Sequence, residues 1–368
     1  MGWGTYDAAR HPRVGILLDG LRHAGAHVVE VNRPDRSSTA DRVQMLRKPW
    51  LALGRAGGMG RGWCGMARDG RRARKQHPVD AIVVGYLGHF DVIAARLAFP
   101  RSTIVLDHLI FAADTAHDRA VGGRLTRIAL VILDRLAIAC ASFVVVDTTE
   151  HLAMLPGRAR SRALVLPVGA PDAWFDAGAA REQPAGAGSA ALKVVFHGLF
   201  TPLQGAPVIG AALADLSRRG VHLDVTLIGS GQDADATLAA LGDTPVEWRD
   251  WVQPDRLPAL LAGADVCLGI FGTSGKAHRV VPNKVYQGLA AQCAVVTSDT
   301  APQRSALGDA VAYVPAGDAT ALADALAALS SDRVAVAALA TAGAALARER
   351  FSPEAIGLTL ATALKALR

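Results

Sequence analysis

Lys276, His278, Arg279 and Lys284 gather cationic side chains on either side of Pro282. Residues 265–270 before them form an apolar run that reads as a buried strand, and 271–281 is a Gly-rich loop. Proline tolerates the first helical turn, where its missing donor is not needed, so a helix is expected from 283 to about 291. Residues 294–298 read as the next buried strand. A cationic loop feeding a helix N-terminus after a parallel strand suits an anion, because free N–H groups and the helix dipole both point outward there. The chemistry implied is the binding of a nucleoside diphosphate. Lys276 and Arg279 would grip phosphate, the guanidinium bidentately and the ammonium as a compact charge; the alternative is a solvated basic turn. Asn283 and Lys284 open the helix, Asn283 as an N-cap or first-turn residue. Gln287 falls one turn later on the same face, where it can bond hydroxyls without carrying charge.

Two further glycine pairs follow expected strands: Gly198 and Gly205 after 193–197, and Gly229 and Gly231 after 223–228. Each serves either a close backbone approach to a ligand or a turn with positive φ. In the first half, His89 follows an expected strand at 81–84, and Asp107, His108 and Asp114 follow another at 102–106. These are polar candidates for a second substrate, with structural roles as the alternative.

The elements that must position these groups alternate strand and helix in both halves, as in a parallel doubly wound sheet. Helices are expected over 14–25, 92–98, 124–139, 149–155, 207–219, 234–241, 257–262, 319–329, 333–350 and 353–367. At 368 residues two domains are expected. The fold class is therefore α/β, with two Rossmann-like parallel-sheet domains facing a cleft. The boundaries read as 1–175, a Gly/Ala/Pro-rich linker over 176–191, a second domain over 192–350, and a C-terminal helix over 351–368 that packs back toward the first domain. Ligands of such sheets lie outside the carboxyl ends of the strands. Residues 1–4 look too short for the opening strand, so the reading places the first strand of the first domain upstream, missing from this chain.

Hydrophobic residues make up 51% of the chain, and Cys64, Cys140, Cys267 and Cys293 have no metal-ligand spacing. A reduced, cytoplasmic setting is expected. The longest apolar run, 128–146, contains Asp134 and Arg135 and reads as a helix followed by a strand. The net charge of +6 is concentrated at 41–75, where ten Lys and Arg oppose Asp41 and Asp69. With Trp50, Met59, Trp63 and Met66 among them, this segment suits anionic lipid headgroups or a phosphorylated acceptor; the alternative is a solvated loop. Nothing in the pattern points to nucleic acid.

The segments HGLFTPLQG (197–205), LIGSG (227–231), LAGADVCL (261–268) and VPNKVYQGLA (281–290) resemble those of the retaining, nucleotide-sugar-dependent glycosyltransferases of the GT-B fold, in family 4 (glycosyl transferases group 1). The first half adds VVGYLGHFDV (83–92) and the Asp107-His108, Asp114-Thr115 and Asp118-Arg119 pairs. The resemblance implies transfer of a hexose or related sugar from a nucleoside diphosphate to a hydroxyl of a glycan, lipid-linked or natural-product acceptor. It implies no cofactor and no metal, and His89, Lys276 and Arg279 as the groups at the reacting centre. Trp251 follows the strand that flanks the base in the resembling enzymes, or belongs to the core. The family's usual Arg and Lys of the first glycine loop are Leu199 and Gln204 here, and its paired Glu positions are Arg279 and Gln287. Lys276, Arg279 and Lys284 would then supply the cations a diphosphate needs. The alternatives are a catalytically impaired partner of the same fold and a sugar-nucleotide epimerase, the latter disfavoured by the absence of carboxylates at 279 and 287.

Overall fold

The computed structural model describes residues 1–8, 11–34, 49–85, 87–120, 123–181 and 191–367, with side chains at 49–59 excepted. The chain divides into two compact units, Met1–Leu166 with Ile356–Arg368, and Pro167–Ala355.

The first unit is a six-stranded sheet of order β2-β1-β3-β4-β5-β6, parallel throughout. Its strands are β1 (Gly2–Gly4), β2 (Glu30–Asn32), β3 (Ala81–Val84), β4 (Thr103–Asp107), β5 (Phe143–Val146) and β6 (Ala163–Val165). The helices are α1 (Pro12–His23), α2 (Pro49–Gln76), α3 (His89–Ala98), α4 (Ala112–Asp118), α5 (Arg124–Cys140), α6 (Thr149–Met154) and α7 (Gly157–Arg160). β3, β4 and β5 are near-continuous runs of Val, Ile and Leu because both faces of the sheet are covered. On one face α1 packs Val14 and Leu17 with Ile356 and Leu360 of the last helix. On the other, α2, α3 and α5 contribute Met66, Val92, Ala95, Ala137 and Ile138 to a core around Trp3 and Phe99.

Two expectations are corrected in this unit. The opening strand is not missing: Gly2–Gly4 pairs with both β2 and β3, Gly2 standing opposite Glu30 and Val83. Two glycines around one tryptophan carry no alternating pattern, but Trp3 is fully buried, edge-on to Phe99 at 5.4 Å between ring centres. The basic segment is no loop from Pro49 onward but a 28-residue helix, α2. Glycine disfavours helix, by about 1 kcal/mol each relative to alanine, and so concealed it. Packing requires one of them: a Cβ on Gly70 would meet the buried Phe99 ring at 2.8 Å, whereas one on Gly65 would meet only the movable end of Arg33 at 2.4 Å. Arg42, Arg47 and Lys48 lie outside the described residues.

The second unit is another six-stranded parallel sheet, of order β12-β11-β10-β7-β8-β9. Its strands are β7 (Leu192–His197), β8 (Leu223–Ile228), β9 (Glu247–Arg249), β10 (Val266–Leu268), β11 (Ala294–Ser298) and β12 (Ala312–Val314). Its helices are α8 (Asp172–Ala179), α9 (Ala206–Arg218), α10 (Ala234–Leu241), α11 (Leu257–Ala262), α12 (Asn283–Ala290), α13 (Ala301–Leu307), α14 (Ala319–Ser331) and α15 (Arg333–Arg350); α16 (Pro353–Lys365) closes the chain. The first residues of the expected linker are helical, in α8, because Gly178 packs on the backbone of α12, where a Cβ would stand 2.4 Å from the Ala290 carbonyl oxygen. Residues 182–190 of that linker lie outside the described residues.

Candidate functional site

Strand order in the second unit reverses between β7 and β10, the topological switch point at which doubly wound sheets open a crevice. Three loops leave the carboxyl ends of β7, β8 and β10 there. They are tied together: the Phe271 amide donates to the Gln204 carbonyl at 3.0 Å, and the Phe200 amide to that of Ser230 at 3.0 Å. Gly205 (φ +65°), Gly229 (φ +130°) and Gly231 (φ +159°) make this possible. A Cβ would stand 2.4 Å from the Gly272 nitrogen at Gly205, 1.9 Å from the Gly198 oxygen at Gly229 and 2.3 Å from the Phe200 oxygen at Gly231. The turn and the chain's own packing therefore account for these three glycines.

Gly198 differs. Its φ is +137°, and a Cβ there would meet the Lys284 Nζ at 3.1 Å. Lys284 enters from the first turn of α12, which begins after Pro282 without a side-chain cap. Asn283 is thus the first helical residue and not the cap. The Lys284 side chain is buried, its Nζ 3.6 Å from the centre of the Phe196 ring and without a hydrogen-bond partner. Burial holds its pKa well below the ordinary lysine value. Beside it His197 stacks on Trp174 at 5.8 Å between ring centres, its Nε2 also unpartnered. Burial, and next the charge of Lys284, bring the His197 pKa down to about 3, so the imidazole is neutral. Two nitrogen-bearing groups without partners at one switch point form a site that an anionic ligand would complete. His197 and Trp174 escaped the sequence reading, and His197, immediately before Gly198 at the end of an apolar strand, was the signal available.

Gln287 is buried on α12 one turn beyond Asn283. Lys276 and Arg279 are half-buried, Lys276 preceding and Arg279 ending a short 3-10 turn, Ala277–Arg279. The apolar side of this turn, Ala277 and Val280, packs with Ile270 and Leu203. Trp251 is 68% exposed, which removes the core alternative.

In the first unit the polar candidates collect at the carboxyl ends of β3, β4 and β5. His89 is not in a loop but opens α3, and its Nε2 donates to the Asp134 Oδ1 at 2.8 Å. Asp134, from the inner face of α5, also accepts the Ala112 and Ala113 amides at 3.0 and 3.3 Å. Burial pushes the Asp134 carboxyl up, but these hydrogen bonds and the nearby imidazoles outweigh it and hold its pKa below the usual value. His108 lies edge-on to His89 and Phe111, with an unpartnered Nε2 4.0 Å from Asp134. Burial brings its pKa to about 3. Asp107 receives Arg13 Nε at 3.2 Å, and Arg13 Nη2 donates to the Leu166 carbonyl at 3.0 Å. Burial raises the Asp107 pKa despite that partner. A second buried pair, His151 donating to Asp147, lies one ring away across Phe111. Asp114, half-buried in α4, lines an open cavity with Phe111, Asp134 and Met154.

Donor atoms of His89, His108 and Asp134 all lie within 4.8 Å of one another, a spacing that could hold a metal ion, whereas the sequence reading assigned none. Both Asp134 oxygens already accept hydrogen bonds, so the group also closes without an ion. Asp134 and the Asp147–His151 pair were missed because their partners lie on other elements or carry no motif.

Residues 191–332 match the family model described as Glycosyl transferases group 1. No curated protein is significantly similar to the chain. Among solved structures, sucrose-phosphate synthase from Thermosynechococcus elongatus superposes with a TM-score of 0.62 at 16% identity, over 83% of this chain and 78% of its own. HepE of Anabaena, in complex with UDP-glucose, gives 0.60 at 17% identity over 82% of each chain. A UDP-forming trehalose-phosphate synthase from Burkholderia xenovorans gives 0.61 at 16% identity, over 84% and 78%. The second unit thus carries a glycosyl transferases group 1 domain, and the chain has the paired parallel sheets of the GT-B fold.

Proposed function

We propose that the protein is a retaining glycosyltransferase that moves a sugar from a nucleoside-diphosphate sugar to a hydroxyl acceptor. The observation that carries this reading is the buried, unpartnered Lys284 ammonium facing Gly198 and His197 at the β7/β10 switch point, inside the segment that matches the family model. The diphosphate lies against Lys284 and the amides opening α12, with Gln287 toward the ribose and Trp251 toward the base. Lys276 and Arg279 complete the positive charge. The sugar's bond to the leaving phosphate oxygen breaks as the acceptor oxygen bonds the same carbon from the same face. The acceptor's proton passes to the leaving phosphate, whose growing charge Lys284, Lys276 and Arg279 stabilise. His89, held by Asp134, is the polar group on the acceptor side, with Asp107, His108 and Asp114. The protein works in the cytoplasm, on a glycan, lipid-linked or natural-product acceptor.

HepE is seen with UDP-glucose, which makes UDP-sugars the first donors to test. Thermal-shift titration with UDP-, GDP-, ADP- and TDP-sugars, followed by assay of sugar release, tests the reading. A shift with release of free sugar supports it, and no shift with any donor overturns it. Leu199, 52% exposed where the family has Arg, favours one second reading, a partner that binds the donor without turnover. A shift without release or transfer would support that one.

A further inference from the structure

The outer surface of α5 is apolar where a surface helix is ordinarily polar. Leu125 is 81% exposed, Ile128 48%, Ile132 52% and Leu136 52%. At about 100° per residue these four fall within an arc of about 80°, while Asp134, Ala137 and Ile138 face inward. The stripe is therefore the second apolar face of a helix whose first face is already in the core. Leu97 and Phe90 of α3 are 78% and 50% exposed and lie on the same side of the sheet. A contiguous apolar surface of this kind marks something that covers it.

The charge around the stripe selects the occupant. Arg124, Arg127 and Arg135 are exposed on α5, and α2, on the same side, exposes Arg61, Arg68, Arg71, Arg72, Arg74 and Lys75. Of the carboxylates on these three helices, Asp91 and Asp134 are buried, the first accepting from Thr5 and Trp63 and the second from His89, and Asp69 is neutralised at the surface by Arg33. A second copy on this face would set cations against cations. Among the described residues no single helix is long and apolar enough to cross a membrane.

We propose that the α2–α3–α5 face of the first unit docks on an anionic lipid bilayer, the α5 stripe entering the headgroup boundary and the cations of α2 and α5 meeting the lipid phosphates. This assigns the apolar anchor to α5, not to the basic segment of the sequence, and it stands whether or not the donor reading does.

Cosedimentation of the full chain with vesicles tests it, comparing phosphatidylglycerol/phosphatidylethanolamine with pure phosphatidylcholine. Binding to the anionic vesicles alone, weakened by added salt, is expected. Ile128→Glu with Ile132→Glu should lower the bound fraction at least tenfold with the unfolding temperature unchanged, since both side chains are exposed. Arg68→Glu with Arg72→Glu should weaken binding and its salt dependence together. Absence of binding by the native chain, or equal binding by the Ile128/Ile132 variant, overturns the proposal. So does a concentration-dependent dimer, seen by light scattering without vesicles, that the same variant abolishes: a second copy would then cover the stripe.

Discussion

The Lys284 ammonium stands 3.6 Å from the centre of the Phe196 ring and makes no hydrogen bond. Burial depresses its pKa and so favours the neutral amine in the free protein relative to an exposed lysine. A diphosphate arriving beside it restores the charge, and binding should take up a proton. Nucleoside-diphosphate affinity then falls as pH rises above the free-state pKa. Calorimetry in buffers of different ionisation enthalpy measures the uptake, and Lys284→Met should abolish it while weakening diphosphate binding roughly 10- to 100-fold, the worth of one charged hydrogen bond.

The same variant has an opposite effect on the fold. The folded pKa lies well below the unfolded one, so between the two the unfolded chain binds the extra proton, and the group costs stability until the pH passes about 10.5, the ordinary lysine value. Lys284→Met removes that cost. Its unfolding temperature at pH 7 should be about 2–4 °C higher for each kcal/mol recovered. Lower stability together with lost binding would mean that the ammonium holds the unit together.

His108 and His197 predict acid lability in both units. Each has a folded pKa near 3, so neither is protonated in the fold while the unfolded chain takes up protons below 6.5. Their contribution is intact above pH 6.5 and is lost as pH falls toward 3, at about 1.4 kcal/mol per unit and group at most. Melting followed by circular dichroism between pH 7 and 5 should show the loss. His197→Phe and His108→Leu should each flatten it.

His89 and Asp134 act as a pair from α3 and α5. His89→Ala should lower turnover about 100-fold with donor affinity unchanged, the size expected for a positioned polar group. Asp134→Asn retains the shape but loses the charge that orients His89, and should lower turnover less. Comparing kcat with donor Kd for the two variants separates catalysis from binding; equal loss of donor affinity in both would remove His89 from the reacting centre.

Gly229→Ala should be the costliest of the glycine replacements in the site loops, because φ is +130° and the new Cβ would fall 1.9 Å from the Gly198 oxygen. Overpacking plus strain predicts a loss of about 2–4 kcal/mol in urea unfolding. Gly220→Ala, at φ +72° with nothing within 4 Å, carries the strain alone and should cost about 1–2 kcal/mol.

Alternation of apolar strands with amphipathic helices is a local property, and from it the sequence determined two parallel-sheet units, with β3, β8, β11, α10, α11 and α15 placed to the residue. The cationic loop, the glycine loops and Lys284 on a helix N-terminus were likewise legible, since glycine, proline and charge act within a few residues. Only the tertiary structure decided the rest. Gly2–Gly4 is a strand because β2 and β3 lie on either side of it, and α2 packs Met66 into the core while Gly70 leaves room for the Phe99 ring. His89 meets Asp134 across 45 residues of sequence. Lys284 meets Phe196, Gly198 and the site of His197 only because β7 and β10 are neighbours in the sheet. Pairing and burial are relations between distant segments, and side chains that they perturb, Lys284 and His197 among them, carry no mark of it in their own sequence neighbourhood.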